Sequence, residues 1–323
     1  MAKPLKQLTP SVLLYYLKPS LVIIVGPTAS GKSGLAMALT RQWPMAIISA
    51  DSRQLYREFD IGTAKPSITD QQQATHYFIN SCEPTEPLTL AEYQQQAQAV
   101  VAQMHQKGQQ IPLLVGGTGL YVNAITKGLK IPRVPPHAEL RSQLTTLGQA
   151  HCCALLQQLD PEAAARIHPH DQVRTLRALE VFYVSGRAIS AQQGEDPPDY
   201  PILYIGLACE GEVLRSRITQ RTHQMIETGF VDEVTRLIEK YGPDLPLLKT
   251  LGYAEMQQHL TGAMSLESAI GQIVQHTCQF AKRQRTWFAK EPRIEWFPTG
   301  APDLIQQVSA RVEKFVQPLT QAL

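Results

Sequence analysis

The sequence predicts an α/β protein: a P-loop NTPase-like parallel sheet core with an inserted helical domain and a helical C-terminal region. Two observations support this fold class. Short β-branched runs alternate with helical stretches in the first third of the chain, and a complete phosphate-loop motif, GPTASGKS, directly follows the first of these runs. The chain has 323 residues, 43% of them hydrophobic, and its apolar runs are shorter than the roughly 20 residues that span a bilayer. We therefore expect a soluble globular protein without a membrane segment.

The core elements follow from hydrophobic runs and from the residues that interrupt them. Leu21–Val25 is a β-branched run between Pro19 and Gly26, which is typical of a buried parallel strand. The same pattern predicts strands at Ala46–Ser49, Ile111–Val115 and Ile202–Leu207. Helical periodicity predicts helices at Lys32–Trp43 and Leu90–Gln106, and helices in most of the chain after Leu207.

Proline-rich breaks divide the chain into segments. Pro132, Pro135 and Pro136 end the first strand-and-helix region, residues 137–185 show only helical patterns, and SAQQGEDPPDYP at 190–201 precedes the next strand. These breaks predict an N-terminal extension at 1–20, a core in two parts at 21–134 and 201–300, a helical insertion at 135–200 and a C-terminal tail at 301–323. Nothing in the pattern requires more than a monomer.

Charge and cysteine content limit the choice of partner and compartment. The 30 basic and 28 acidic residues give a net charge of only +2, so any nucleic-acid surface must come from local clustering of basic residues. The five cysteines form no CxxC pair and show no metal-ligand spacing, which favours reduced thiols in a cytoplasmic protein.

The strongest motif is the phosphate loop between the first predicted strand and the first predicted helix. Its glycines let the backbone wrap an anion, so that amide N–H groups and the helix N-terminus face phosphate oxygens. The lysine adds a positive charge, and the serine hydroxyl can hold Mg²⁺. The predicted diphosphate or nucleotide site consists of Gly26, Pro27, Thr28, Ala29, Ser30, Gly31, Lys32 and Ser33.

A second group of candidates follows the next two strands. Asp51 comes shortly after the second strand, and Thr118 follows two glycines after the third strand. Because ligands collect beyond the carboxyl ends of the strands in an open α/β sheet, we expect both residues to line one pocket with the phosphate loop. Asp51 can serve there as a metal ligand, a general base or a helix N-cap. The metal-binding Asp that P-loop kinases usually carry at the end of another strand is missing after the third strand.

Beyond the phosphate loop, an ordered set of segments resembles the tRNA dimethylallyltransferases, also called tRNA isopentenyltransferases. The segments are GPTASGKS, SADSRQLYREFDIGTAKP, LLVGGTGLY, DQVRTLRALEVF, RTHQMIETGFVDEV, LKTLGYAE and FAKRQRTWF, which span roughly residues 20–297. The resemblance implies transfer of a dimethylallyl group from dimethylallyl diphosphate to N6 of adenosine 37 in the anticodon loop of tRNAs that read codons beginning with U. It also implies a need for Mg²⁺ and no chemical consumption of ATP.

The resemblance assigns roles to three residues of the reaction site. Asp51 is expected to accept the proton of the adenine amine, Thr28 to lie near the bridging oxygen of the donor, and Arg221 to clamp the diphosphate. Arg217, one helical turn before Arg221, is the competing candidate for the clamp. Positive charge and N–H donors at the leaving group favour ionisation of the donor, because the allyl cation is delocalised.

Basic and aromatic residues in the matching segments are expected to hold the anticodon stem-loop. Gly252 and Tyr253 are expected to allow close backbone approach and base stacking. Arg177 and Glu180 can instead form a solvated pair within one helix, and the basic residues after Phe280 can merely coat a packed helix. The predicted tRNA-binding residues are Asp51, Ser52, Arg53, Gln54, Thr118, Arg141, Arg174, Arg177, Lys249, Gly252, Tyr253, Lys282, Arg283 and Trp287.

Three other functions remain open on the sequence. A nucleotide or small-metabolite kinase would use Asp51 to deprotonate a hydroxyl acceptor and would consume ATP. An adenylate isopentenyltransferase would use the same donor with a free nucleotide as acceptor, which gives no reason for the long helical insertion. A non-catalytic RNA-binding protein would not need the intact set of Lys32, Ser33 and Asp51.

Overall fold

A six-stranded parallel sheet forms the core of the part of the chain that the computed structural model describes, residues 18–320. In chain order, the strands are β1 (Leu21–Val25), β2 (Met45–Ser49), β3 (His76–Tyr77), β4 (Ile111–Gly116), β5 (Leu129–Lys130), β6 (Gly194–Glu195), β7 (Ile202–Ala208) and β8 (Glu295–Pro298). Six of them form the sheet in the order β3-β2-β4-β1-β7-β8, and every neighbouring pair is parallel. The predicted α/β fold class is confirmed.

The centre of the sheet is built from strands that are buried on both faces. All five residues of β1 are fully buried, and β1 lies between β4 and β7, with Ile23 opposite Leu114 of β4. A strand that helices cover on both sides needs this continuous aliphatic sequence. Part of the cover comes from the C-terminal region, where Val308, Val312 and Val316 recur every fourth residue and pack into the same core.

The helices lie between and after the strands. They are α1 (Lys32–Thr40), α2 (Ile68–Gln73), α3 (Leu90–Lys107), α4 (Gly119–Thr126), α5 (Ala138–Leu147), α6 (Gln149–Leu159), α7 (Pro161–Arg166), α8 (Gln172–Ser185), α9 (Gly211–Glu227), α10 (Phe230–Tyr241), α11 (Tyr253–Leu260), α12 (Leu266–Phe288) and α13 (Leu304–Thr320), with 3₁₀ turns at Ser190–Gln192 and Pro246–Lys249. The sequence does not predict β3, β5, β6 or β8, because the first three have only two residues each. The strand β8 has four residues, includes Pro298 and lies at the edge of the sheet.

The chain forms two compact units. Within the described residues, the first unit comprises 18–88, 96–122 and 199–320 and holds the sheet. The second comprises Thr89–Gln95 and Asn123–Pro198 and holds α5–α8 and the β5–β6 pair. This unit begins before residue 135, the start of the predicted insertion, because β5 pairs antiparallel with β6. The predicted N-terminal extension at 1–20 lies almost entirely outside the described residues.

A buried carboxylate joins two helices of the second unit. Glu180 of α8 has no exposed surface, and it accepts hydrogen bonds from Nε (2.7 Å) and Nη2 (2.8 Å) of Arg141, Nη1 of Arg177 (2.6 Å) and the backbone N–H of His137 (2.7 Å). Burial alone would raise the pKa of Glu180, but these hydrogen bonds outweigh it and lower the pKa to about 2. Arg177 and Glu180 therefore do form a pair within α8, as the alternative interpretation predicted. The pair is not a solvated one, because Glu180 is buried and also binds Arg141 of another helix.

Replacing Glu180 tests how strongly this contact holds the second unit together. We expect Glu180→Ala to destabilise the unit by about 3–5 kcal/mol, because two arginines would lose a buried partner. Since the folded-state pKa of about 2 lies below the unfolded value, the stabilisation is full above roughly pH 5 and is lost as the pH falls toward 2. Urea denaturation followed by circular dichroism at pH 7 and pH 3 measures both effects.

The matched control is Glu162→Ala, which removes an exposed i,i+4 partner of Arg166 in the same unit. It should change stability far less at either pH, because exposed pairs contribute little. Equal destabilisation by the two substitutions would contradict the assigned role of Glu180.

Candidate active site

The phosphate loop connects β1 to α1 at the carboxyl edge of the sheet. Gly31, the last residue before α1, has φ +92°, a conformation that favours glycine. The first N–H groups of a helix have no acceptor within the helix. The amides at the start of α1 are therefore available to an anion, and the helix dipole favours negative charge at the same place.

Lys32 points back over the phosphate loop. Its Nζ donates hydrogen bonds to the carbonyl oxygens of Gly26 (3.0 Å) and Pro27 (2.7 Å). Burial lowers the pKa of Lys32 to about 8, with Asp51 opposing this shift and Arg221 adding to it. Because both residues affect the pKa of Lys32, this part of the site holds one anion, Asp51, and two cations, Lys32 and Arg221.

Arg221, rather than Arg217, lies beside this group of charges. Burial lowers the pKa of the Arg221 guanidinium, and the charge of Asp51 opposes the shift. The Arg217 guanidinium is instead directed to the carbonyl oxygen of Thr299 (3.5 Å) and to Sγ of Cys209 (3.9 Å). Arg221 is therefore the arginine that interacts electrostatically with Asp51 and Lys32, whereas Arg217 is bound to other groups.

The loops that follow β2 and β4 are joined by hydrogen bonds around Asp51. The N–H of Thr118 donates to the carbonyl of Ala50 (3.1 Å), and the N–H of Ser52 donates to Oγ1 of Thr118 (3.1 Å). The N–H of Arg53 donates to Oδ1 of Asp51 (2.9 Å) in a turn of the kind that Asp favours. Residues 52–55 form turns and Tyr56 forms a bridge with Cys82, with no helix after Asp51, so Asp51 is not a helix N-cap.

Gly116 allows these two loops to meet. A Cβ at this position would lie 2.1 Å from the Ala50 carbonyl oxygen, far inside van der Waals contact. The register of β2 and β4, with Ser49 opposite Val115, brings the two chains to this point. Glycine is therefore required by a close backbone approach.

A cavity of about 260 Å³ lies next to the phosphate loop. Lys32, Ser33 and Asp51 line it together with apolar side chains such as Met37 and Ile79. Charged and apolar side chains thus share one cavity, which suits a molecule with both a charged and an apolar part.

Two buried side chains bind backbone groups that are distant in sequence, and the sequence does not predict either contact. Oε2 of Glu233 accepts hydrogen bonds from the backbone N–H groups of Asp60 (3.1 Å) and Ile61 (2.7 Å), and Oε1 accepts from that of Gly62 (3.1 Å). Gln284 of α12 is hydrogen-bonded to the phosphate loop and to Gly117. These backbone partners lie more than 160 residues away in sequence, so no local sequence pattern indicates the contacts.

Comparison with known proteins identifies the family. The family model for IPP transferases matches residues 54–291. A tRNA dimethylallyltransferase from Gloeothece citriformis is 60% identical over 91% of this chain and 96% of its own length, and one from Picosynechococcus is 61% identical over 89% and 96%. The chain belongs to the tRNA dimethylallyltransferase family. The resemblance seen in the sequence motifs is confirmed.

Solved structures agree with this family. The tRNA isopentenylpyrophosphate transferase from Bacillus halodurans is 33% identical, with a TM-score of 0.69 over 94% of this chain and 97% of that one. A eukaryotic dimethylallyltransferase acting on tRNA has a TM-score of 0.82 at 23% identity, covering 93% of this chain and 80% of that one, and it supports the fold alone. In residues 18–320, no helix is both long and apolar enough to cross a bilayer.

The tRNA-binding residues predicted in the second unit fall into two groups. Arg141 and Arg177 are committed to Glu180, so their guanidinium groups hold the fold of the unit. Arg174 is the more accessible residue, with 66% of its side chain exposed beside Asp171. Among these three arginines, Arg174 therefore has the most exposed side chain. Its contact with a tRNA phosphate stays a prediction.

Residues predicted to contact tRNA in the first unit also differ in exposure. Lys282, Arg283 and Trp287 are exposed along α12, although Phe288 of the same helix is buried. Lys249 is exposed and pairs with Asp244 (3.0 Å). The exposed side of α12 therefore remains available to a nucleic acid.

Three other predicted tRNA contacts are occupied within the first unit. The base-stacking role predicted for Tyr253 is wrong in this structure, because its ring is buried and its hydroxyl donates to Glu233 (2.7 Å). Gly252 precedes α11 with φ +88°, and its N–H donates to Glu255 (2.7 Å). The Gln54 amide donates to the carbonyl oxygens of residues 63 and 64 and accepts from Ser49. The Tyr253 hydroxyl and the Gly252 N–H are thus bound to carboxylates of the protein, and the Gln54 amide is bound mainly to its backbone.

The pKa of Lys32 predicts how diphosphate affinity depends on pH. Lys32 is charged below about pH 8 and neutral above it, so the Kd for magnesium pyrophosphate should rise above pH 8, by at most about tenfold per pH unit. Calorimetric titrations between pH 6.5 and 9.5 test this. Lys32→Arg stays charged throughout, and its profile should lack the component that Lys32 contributes. Identical profiles for the two proteins would exclude this role of Lys32.

Adding a methyl group at Gly116 should disturb the contact between the loops. Gly116→Ala must displace the Ala50 carbonyl, which lies 2.1 Å from the new Cβ, and we expect a loss of about 1–3 kcal/mol in the free energy of unfolding. Gly271→Ala on α12 is the control, because it has open space around it and should be neutral or stabilising. Urea denaturation compares them, and wild-type stability of Gly116→Ala would refute the tight approach.

Proposed function

We propose that the chain transfers a dimethylallyl group from dimethylallyl diphosphate to N6 of adenosine 37 in the anticodon loop of tRNAs that read codons beginning with U. One observation carries this proposal: the phosphate loop, Arg221 and Asp51 lie together at the carboxyl edge of the sheet, beside a partly apolar cavity. Relatives that are 60% and 61% identical carry the name of this activity, which supports the same reaction.

The proposed reaction breaks one carbon–oxygen bond and forms one carbon–nitrogen bond. The bond between C1 of the allylic chain and the bridging oxygen breaks, and its electron pair leaves with the diphosphate. The N6 lone pair of adenine forms the new bond to C1, and the N6 proton passes to the Asp51 carboxylate. A positioned base is needed because the N6 lone pair is delocalised into the purine ring.

The donor is held by charge at one end and by apolar contact at the other. Lys32, Arg221 and the amides at the start of α1 offset the charge of the diphosphate, and Thr28 of the phosphate loop lies near the bridging oxygen. The apolar side chains of the cavity, Met37 and Ile79 among them, are suited to the five-carbon chain. Removing one donor to such a leaving group typically slows the reaction about 10²–10³-fold.

Mg²⁺ is part of the proposal. Ser33 lines the same cavity as Lys32, and its hydroxyl oxygen is a ligand that Mg²⁺ accepts alongside water and phosphate oxygens. When bound, the ion neutralises charge on the diphosphate. Within residues 18–320, no cluster of three or more His, Cys, Asp or Glu side chains could hold a metal ion. The diphosphate itself would therefore supply part of the coordination.

We also propose that the enzyme works as a monomer in the cytoplasm. The groups assigned to the donor and to the base all come from one unit of one chain. The five cysteines are all free thiols, which suits a reducing compartment.

Asp51→Asn tests the assigned base. We expect transfer to fall about 10²–10⁴-fold, because the amide cannot accept the N6 proton. Pyrophosphate affinity should stay the same or increase, since the substitution removes a negative charge from beside Lys32. The measurement uses radiolabelled dimethylallyl diphosphate with unmodified tRNA, and calorimetry with magnesium pyrophosphate. Asp303→Asn, an exposed residue before α13, is the control and should react at the wild-type rate.

The acceptor that becomes labelled in the same assay distinguishes between the possible functions. Label in tRNA supports the proposal, whereas label in AMP would make the chain an adenylate isopentenyltransferase. Consumption of ATP without prenyl transfer would make it a kinase. Near-normal transfer by Asp51→Asn would remove Asp51 as the base.

A further inference from the structure

Gln284 is a buried glutamine whose two amide atoms are both bound by backbone groups of the site. Only 6% of the residue is exposed. Its Oε1 accepts a hydrogen bond from the N–H of Thr28 (2.8 Å), and its Nε2 donates to the carbonyl oxygen of Gly117 (2.9 Å). One side chain of α12 thus connects the phosphate loop with the loop that follows β4.

The fit around this glutamine is tight. A Cβ at Gly117 would lie 2.2 Å from Nε2 of Gln284, and a Cβ at Gly119 would lie 2.2 Å from the ring of Trp287, one turn further along α12. The helix therefore lies against this loop at a distance that only glycines permit. A buried amide is costly unless both of its ends are hydrogen-bonded, and both ends of Gln284 are.

One of the two loops carries a group assigned to the reaction, and the other supports the loop that carries Asp51. Thr28 is placed near the leaving oxygen of the donor. On the other loop, Thr118 follows Gly117, and its Oγ1 accepts from the N–H of Ser52, the residue after Asp51. Hydrogen bonds thus connect Thr28 through Gln284 to the loop after β4, and that loop is in turn hydrogen-bonded to the residue after Asp51.

We propose that Gln284 is a positioning residue, which sets the placement of Thr28 relative to the loop that supports Asp51. This inference rests on the proposed function, since it concerns the efficiency of that reaction. Gln284 acts through Thr28 and does not itself contact the reacting atoms. Its loss should lower kcat with little effect on KM, because displacing a reacting group by about 1 Å can slow a reaction about 10²-fold.

A double-mutant cycle with Thr28 tests the proposal. Gln284→Met keeps the approximate size of the side chain and removes both hydrogen bonds, and Thr28→Val removes the hydroxyl. We expect Gln284→Met to lower kcat about 10- to 100-fold, with the KM for donor and for tRNA within about threefold of wild type. If Gln284 acts through Thr28, the double variant should be no more than about threefold slower than the slower single variant.

Gln275→Met is the matched control, because Gln275 is an exposed glutamine on the same helix. It should leave kcat unchanged, and its effects should be additive with those of Thr28→Val. Additive effects of Gln284→Met and Thr28→Val would overturn the proposal. Equal changes in kcat and KM, as expected from a loss of packing, would overturn it as well.

Gln284→Glu provides a second variant if Gln284→Met does not fold. A protonated carboxyl can accept from Thr28 and donate to Gly117, as the amide does, whereas the carboxylate cannot donate. The kcat of Gln284→Glu relative to wild type should therefore rise as the pH falls. A ratio that does not change with pH would contradict the assigned hydrogen bonds.

Amide hydrogen exchange separates this inference from the proposed function. The Thr28 amide should exchange faster in Gln284→Met than in wild type or Gln275→Met, whether or not the protein transfers a prenyl group. If wild type transfers no label to tRNA, the proposed function fails. If Thr28 exchange is the same in all three proteins, the inference about Gln284 fails.

Discussion

The close approach of Gly116 to the Ala50 carbonyl is the constraint on which the site depends. β4 pairs with both β1 and β2, so the loops that follow these three strands end at the same edge of the sheet. Without a Cβ at Gly116, the loop after β2 can lie directly on the end of β4. The hydrogen bonds of Ser52 and Thr118 then fix Asp51 beside the phosphate loop. The Asp51 carboxylate can lie near the lysine of the phosphate loop because Gly116 has no side chain.

The charges gathered there are poorly balanced without an anion. Lys32 and Arg221 are both partly buried, and each has a pKa lowered by that burial. Asp51 is the anion that opposes both shifts, and one carboxylate cannot fully offset two cations. A diphosphate would add the negative charge that the site lacks, so its binding should stabilise the fold by mass action.

Sequence reasoning found the parts of the site whose signals are local. The phosphate loop, Asp51 and Thr118 each follow a short hydrophobic strand, and strand order in an α/β sheet brings such residues together. Glu233 and Gln284 could not be found in this way, because each binds backbone groups more than 160 residues away. The sequence predicts base stacking for Tyr253, but its ring packs against Phe59 and Phe230 and its hydroxyl donates to Glu233. Burial is a property of the whole fold, and a local motif does not report it.

The helix α12 shows why such contacts escape notice and why they matter. Ala281, Gln284 and Phe288 are spaced by three and four residues and are buried, whereas Lys282, Arg283 and Trp287 on the other side are exposed. A glutamine at an apolar position looks like an exception to the pattern until its two partners are seen. Both partners are backbone groups, so the hydrogen bonds do not use the side chain of Thr28. Gln284 therefore constrains both loops through their main chains. Its hydrogen bond to residue 117 requires a glycine there, because a Cβ would lie 2.2 Å from Nε2 of Gln284.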